Sequence, residues 1–264
     1  MTTISLLTDF GLRDGNVGVM KGVIWGIAPD AQIADLSHSI APQNIREASF
    51  TLLRSAFYFP LNSVHIVVVD PGVGTPRRPI ALHIGEQYFV GPDNGVFTGV
   101  MEHAEREGWS ILAVHTDKSV YWRDEISHVF HGRDIFAPVG AHLAAGVPIE
   151  KFGEPIDVPI RLALPQPERT SAGWHAEVAH IDHFGNIYTS LRREHLGDSM
   201  QVSISLRDET VDSLVRAFGE AEPGALIALY SSTDYLMLSE VNGDAGARLA
   251  AQVGDPVDVV LKDE

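Results

Sequence analysis

The sequence predicts an α/β N-terminal domain built on a largely parallel sheet, followed by a smaller β-rich C-terminal domain. Three observations lead there. Val64-His65-Ile66-Val67-Val68-Val69 is a nearly continuous β-branched run, which suits a central parallel strand covered on both faces. Strand-like runs alternate with helical periodicity through residues 4–145, the pattern of repeated strand–helix units. After a proline-rich stretch the alternation stops and short strands dominate.

Residues 4–8 read as a short buried strand that ends at Asp9-Phe10-Gly11. A helix follows over 16–27, with Val17, Met20, Ile24 and Ile27 on one face and Ala28-Pro29-Asp30 to stop it. A strand over 32–36 precedes a helix that starts at Asn44. There Glu47, three positions on, resembles a capping box, and Ile45, Ala48, Leu52 and Ala56 form the apolar stripe. The central strand over 64–69 ends in Asp70-Pro71-Gly72-Val73-Gly74-Thr75-Pro76. Strands over 80–84 and 87–90 come next, the second closing on Gly91-Pro92-Asp93-Asn94-Gly95. Helices over 96–105 and 134–145 complete the domain.

The stretch 156–173 carries Pro159, Pro165 and Pro167 and has no helical period. The first domain is therefore assigned to 1–157, a linker to 158–173 and the second domain to 174–264. Its strands are expected over 176–182, 187–191, 201–206, 226–230, 235–239 and 257–261, with short helices near 210–218 and 245–252.

Apolar residues at 45% and charged residues at 20% describe a globular chain with a full core. A formal charge of −16 argues against nucleic acid as a partner, because phosphates need a basic surface. The absence of cysteine removes disulfides, zinc–thiolate sites and cysteine nucleophiles, and is compatible with a reducing cytoplasm. Met1-Thr2-Thr3-Ile4 shows no basic segment followed by an apolar one, and no apolar run approaches the ~20 residues of a membrane span. The expectation is a soluble cytoplasmic protein without membrane contact.

Asp9, Asp70 and Asp93 share one context: each lies at or just past a predicted strand end, with glycine within two residues. In an open parallel sheet, ligands bind outside the carboxyl ends of the strands. One such residue alone reads as turn chemistry; three together favour a site. Neither a phosphate-binding Walker loop nor Gly-x-Gly-x-x-Gly follows the first strand, which disfavours ATP hydrolysis and ordinary NAD binding. Arg77 lies seven residues beyond Asp70 across a Gly/Pro-rich turn and is placed to pair with it, with Arg78 as a competitor. Ser127-His128-Val129-Phe130-His131-Gly132-Arg133-Asp134 is dense in functional side chains, and His131 is open to three roles: general base, metal ligand or packed polar residue. His128, His131, Asp134, His180, Asp182 and His183 lack the tight spacing of a metal motif, and twelve histidines create chance clusters. No metal is expected.

Thr8-Asp9-Phe10-Gly11, Asp70-Pro71-Gly72-Val73-Gly74-Thr75, Pro92-Asp93-Asn94-Gly95, Phe130-His131-Gly132-Arg133-Asp134 and Ile181-Asp182-His183-Phe184-Gly185-Asn186 occur in this order. Together they resemble the SAM hydroxide adenosyltransferase family, which splits S-adenosyl-L-methionine (SAM) with water and is related to fluorinase and chlorinase. The resemblance runs from Ile4 to about Val260. It implies an N-terminal α/β domain, a barrel-like C-terminal domain, and a homotrimer that holds SAM between the N-domain of one subunit and the C-domain of the next. No cofactor is implied, since SAM is the substrate.

By motif, the family's water-activating Asp-Arg-His set falls on Asp70, Arg77 and His131. Asp9 matches the ribose-diol carboxylate, and Asp182 the carboxylate that receives the methionine ammonium. Phe184 and Asn186 match adenine-pocket positions, and Ser232 falls near the methionine-carboxylate contact. Asp14 and Asn16 match halogenase substrate contacts by spacing. Thr233 and Asp234 depart from the pattern, which commonly has a small residue and glycine there.

The sulfonium of SAM leaves as a neutral thioether and needs no acid, so the residues must place an oxygen nucleophile in line with C5′ and activate it. The base is His131, or the nucleophile is a pre-formed hydroxide near Arg77. A chlorinase-type halogenase is the first alternative; Gln43 stands where fluorinase-like enzymes carry a tryptophan after Pro42. A SAM- or adenosine-binding sensor and a metal-dependent hydrolase are the others.

Overall fold

The computed structural model describes residues 2–197, 201–212 and 214–262. The chain divides into two compact units, Met1–Ala163 and Leu164–Glu264. That division falls inside the expected linker.

The first unit runs β1 (Thr3–Thr8), α1 (Asn16–Ile27), β2 (Gln32–Ser37), α2 (Ile45–Ser55), β3 (Val64–Val68), β4 (Pro79–Ile84), β5 (Gln87–Pro92), α3 (Thr98–Glu107), β6 (Ile111–His115) and α4 (Ala137–Ala144). The sheet order is β2-β1-β3-β5-β4-β6. β2, β1, β3 and β5 are mutually parallel, while β4 runs antiparallel to both β5 and β6. β6 was not foreseen. Helices cover both faces, which explains the unbroken apolar run of β3: Val64, Ile66 and Val68 pack with Met20, Ile24 and Val139 of α1 and α4. Val67 and Val69 turn to Leu52, Val100 and Met101 of α2 and α3. Each such side chain, fully buried, stabilises the fold by about 1.5–3 kcal/mol.

At the start of α2 the expected cap forms. Asn44 Oδ1 accepts from the Glu47 amide at 3.0 Å, and the Glu47 carboxylate accepts from Asn44 Nδ2 and the Ala41 amide. The last helix does not begin as an α-helix. Gly132–Phe136 forms a π turn in which the Ala137 amide bonds the Gly132 carbonyl, and α4 continues from it.

The second unit runs β7 (Glu168–Arg169), β8 (Gly173–Ile181), β9 (Ile187–Arg192), α5 (Arg193–Leu196), β10 (Val202–Leu206), β11 (Glu209–Val211), β12 (Leu226–Tyr230), β13 (Tyr235–Glu240), α6 (Ala245–Arg248) and β14 (Pro256–Leu261). Its strands pair antiparallel in the order β11-β10-β14-β8-β9-β13-β12, with β7 also on β8. A bridge between Leu214 and Ala228 nearly closes the sheet into a barrel. Val178, Leu191, Leu236, Val257 and Val259 fill its core.

The helix expected near 210–218 is not formed. Val211 ends the β10–β11 hairpin, Leu214 joins the bridge, and Phe218–Glu220 makes a single 3-10 turn. Ser213, within that span, lies outside the described residues. The helix expected over 245–252 stops at Arg248. No helix among the described residues is long and apolar enough to cross a membrane.

Candidate active site

Parallel pairing puts the carboxyl ends of β1, β3 and β5 on one edge of the sheet, and with them Asp9, Asp70 and Asp93. Because β4 is antiparallel, it starts at that same edge, which brings Arg77 and Arg78 there. The two arginines divide the carboxylates. Arg77 Nε donates to Asp70 at 2.9 Å and 3.0 Å, and its Nη2 closes a second contact to Oδ2. The two side chains are 9% and 4% exposed, so this fork is held out of water. Arg78 instead takes Asp93, whose other oxygen accepts from the Ile160 amide at 2.7 Å.

Asp93 is therefore structural, against its expected place in a three-carboxylate site. With Arg78 it ties residues 158–160 to the sheet edge, since Arg78 also donates to the Val158 carbonyl.

Arg77 has a further partner. Its Nη2 stands 2.7 Å from His131 Nδ1, and its guanidinium lies 5.3 Å from the Phe136 ring centre. Two loops must meet for this. At Gly74, with φ 77°, a β-carbon would fall 2.4 Å from the His128 carbonyl oxygen, so only glycine lets the Asp70–Arg77 turn approach the 127–131 loop so closely. The latter loop is closed by Asp134, which accepts from the Ser127 amide at 2.8 Å and pairs with Arg133. Burial and the Arg77 charge hold the His131 pKa below the ordinary histidine value. Guanidinium nitrogens only donate, so Nδ1 accepts and the neutral ring keeps its proton on Nε2.

Asp9, Phe10, Gln43, Val68, Asp70, Pro71, Val73, Val129, Phe130, His131 and Gly132 line a cavity of about 250 Å³. Within it Asp9 Oδ2 accepts from the Gln43 amide at 2.7 Å. Gln43 adopts φ 65°, a left-handed conformation that aims this amide. One cavity is thus lined by Asp9, by Asp70 with Arg77 bound behind it, and by the neutral His131, flanked by apolar walls of Phe10 and Phe130. Such a set can hold a polar oxygen nucleophile beside a hydroxyl-bearing substrate.

The family model for the SAM hydroxide adenosyltransferase N-terminal domain matches residues 4–153, and that for the C-terminal domain matches residues 176–258. The chain belongs to the SAM hydroxide adenosyltransferase family. A Salinispora tropica relative named (R)-S-adenosyl-L-methionine hydrolase is 36% identical, over 96% of this chain and 95% of its own. A fluorinase from an Actinoplanes species is 28% identical, over 89% and 90%. The crystal structure of an uncharacterized conserved protein from Thermotoga maritima matches with a TM-score of 0.89 at 36% identity, covering 97% of this chain and 99% of the other.

For a SAM hydroxide adenosyltransferase chain, the other expected site residues distribute as follows. Asp14 and Asn16 lie exposed at the start of α1, outside the cavity lining. Asp182, Phe184, Asn186 and Ser232 belong to the second unit. Asp182 Oδ1 accepts from the amides of Phe184 and Asn186, each at 2.9 Å, and Oδ2 accepts from Asn186 Nδ2 at 2.9 Å. That turn leaves Phe184 74% exposed, its ring in edge contact with His183 at 5.6 Å between centroids.

Ser232 is exposed on the β12–β13 turn. There Asp234 stands where the family commonly has glycine, at φ 60°, a conformation aspartate tolerates better than most residues. Arg193 holds it, Nε donating to Oδ1 at 3.0 Å and the Arg193 amide donating to the Asp234 carbonyl at 2.9 Å. Among the described residues, no group of three or more His, Asp or Glu side chains is arranged to hold a metal ion. Sequence reasoning missed Phe10, Val73, Val129 and Phe130 as cavity walls. Their signal was adjacency, since each lies within three residues of one already singled out.

Proposed function

We propose that this protein hydrolyses SAM to adenosine and L-methionine. One observation carries the reading: Arg77 links Asp70 to His131 at the cavity that also holds Asp9. The hydrolase name borne by relatives at 36% identity supports it.

In this reading Asp9, with Oδ2 fixed by Gln43, accepts hydrogen bonds from the ribose diol and sets the line of attack. The oxygen of water or hydroxide forms a bond to C5′. The C5′–S bond breaks, its electron pair stays on sulfur, and methionine leaves as a thioether. With water as nucleophile, one proton passes to bulk solvent; with hydroxide, none is released. His131 enters as a donor: with Nδ1 engaged by Arg77, Nε2–H is the group left to hold the nucleophile. The Arg77 charge nearby favours hydroxide over water. Asp70 fixes the guanidinium and contributes geometry. Leaving-group departure needs neither acid nor cofactor. Asp182, Phe184, Asn186 and Ser232 receive the methionine and adenine ends, with a second unit supplied by a neighbouring subunit of a homotrimer.

Incubating the protein with SAM in halide-free, chelator-treated buffer tests this directly. Adenosine and methionine in equal amounts are expected. Turnover that requires chloride or fluoride and yields 5′-halo-5′-deoxyadenosine would replace water by halide. Bound but intact SAM would mark a sensor. Because the proposed site is shared, a variant that stays monomeric is expected to lose activity, and a fully active monomer would overturn the shared site.

A further inference from the structure

We infer that His38 is a positioning residue for the substrate carboxylate Asp9, acting through the hydroxyl of Thr8. The inference rests on the reading of Asp9 as the ribose-binding group.

The turn that carries Asp9 is gripped on both sides by one residue. Ahead of it, Thr8 Oγ1 stands 2.9 Å from His38 Nδ1. Beyond it, the Gly11 amide donates to the His38 carbonyl at 2.8 Å. Asp9 itself is held by the Gln43 amide, five residues further along the same β2–α2 loop. Neither Thr8 nor His38 lines the cavity, and both are buried, at 0% and 5% exposure. They act on the site without touching its occupant.

The Phe10 amide donates to Thr8 Oγ1 at 3.2 Å, and the same hydroxyl is hydrogen-bonded to His38 Nδ1. On the other side of the ring, His38 Nε2 lies 3.0 Å from Asp35 Oδ1. Lys21, on the helix that follows the Asp9 turn, donates to the other Asp35 oxygen at 2.7 Å. Burial alone would raise the Asp35 pKa, but Lys21 and His38 outweigh it and keep the carboxylate ionised. A hydroxyl, an imidazole and a carboxylate thus stand in series. Thr8 is fully buried, so the series orients the backbone at Asp9 and Phe10 and offers no nucleophile.

The test compares adenosine with 2′,3′-dideoxyadenosine by calorimetry, in wild-type protein and in Thr8→Val, Thr8→Ser, His38→Gln and His38→Asn. Thr8→Val keeps the shape and removes the hydroxyl; Asn at 38 keeps a hydrogen-bonding group where Nδ1 was, and Gln does not. Adenosine affinity is expected to fall roughly tenfold in Thr8→Val and His38→Gln, the scale of one hydrogen bond to a charged group. Affinity for the dideoxy compound should not change, and Thr8→Ser and His38→Asn should match wild type. Equal losses for both nucleosides would reduce His38 to a folding role and overturn the proposal, as would unchanged affinities. Wild-type protein that binds the two nucleosides alike would overturn the ribose role of Asp9, and the positioning role with it.

Discussion

Nη2 of Arg77 stands 2.7 Å from Nδ1 of His131, and because a guanidinium can only donate, this contact decides which ring nitrogen carries the proton. The cavity-side chemistry of the histidine therefore depends on Arg77, 54 residues earlier in the chain. His131→Ala is expected to lower turnover by about 10²–10³-fold, the scale of one positioned hydrogen-bond donor, while SAM affinity changes by no more than a few-fold. His131→Gln, which retains an N–H near the Nε2 position, should recover part of that loss. Single-turnover product analysis with parallel calorimetry checks both. A glutamine variant as inactive as alanine would return the ring to the role of proton acceptor.

The pH profile should carry the same signature. An unfolded histidine takes up its proton near ~6.5, and burial together with Arg77 places the folded His131 lower. The neutral ring needed for the Arg77 contact is therefore present at and above neutral pH. kcat/KM should hold as pH falls past the ordinary histidine value, then drop as it passes the lowered one. In the window between the two, the unfolded chain binds more protons, so His131 makes stability rise with pH. A limb centred at or above the ordinary value would contradict this.

Adjacent arginines should separate chemistry from folding. Arg77→Lys replaces a two-partner fork by a single point charge and is expected to cost about 10²-fold or more in kcat, with a modest change in Tm. Arg78→Ala strips the partner from Asp93, whose side chain is 1% exposed. Allowing for the partly exposed Arg78, that should destabilise the unit by about 2–3 kcal/mol and leave kcat close to wild type. Thermal melts and steady-state rates on the two variants distinguish the roles.

A second buried histidine should shape acid stability. His65 lies between Ser5 and Gln87, Nδ1 at 2.6 Å and Nε2 at 3.3 Å, and burial pushes its pKa down to about 4. A pKa lower folded than unfolded means stability rises with pH between about 4 and ~6.5, by on the order of 3 kcal/mol in total. His65→Gln should flatten the slope of unfolding free energy against pH across that window, whatever its effect on stability at pH 7. Urea melts at a series of pH values measure the slope.

How far the sequence could be read depended on where the information sits. β3 was legible because both of its faces are apolar, and α2 because Asn44 and Glu47 announce its start. The span 210–218 misled because Val211, Leu214, Val215 and Phe218 repeat at helical spacing, while the tight turn at Arg207–Asp208 returns the chain as a strand. Asp70, Arg77 and His131 could be picked out because their chemistry is in their side chains. The Gln43 amide that holds Asp9 could not, since a backbone donor leaves no mark on residue type. That Arg78 takes Asp93 was equally hidden. It depends on β4 running against its neighbours, a tertiary fact that two consecutive arginines do not encode.

The π turn at Gly132–Phe136 has a consequence for how this site can be lost. A π turn is an α-helix with one residue too many, and each residue of an α-helix advances the chain by ~100° around the axis. Val139 and Leu143 are locked in the core, so α4 cannot rotate. Deleting one residue from 133–136 would let the segment relax into continuous α-helix and swing His131 around the axis, away from Arg77. Every side chain singled out in the cavity would still be encoded, in order, by the shortened gene. The histidine is addressed by counting as well as by identity, and a one-codon deletion can disconnect it where a scan of point substitutions would find nothing amiss.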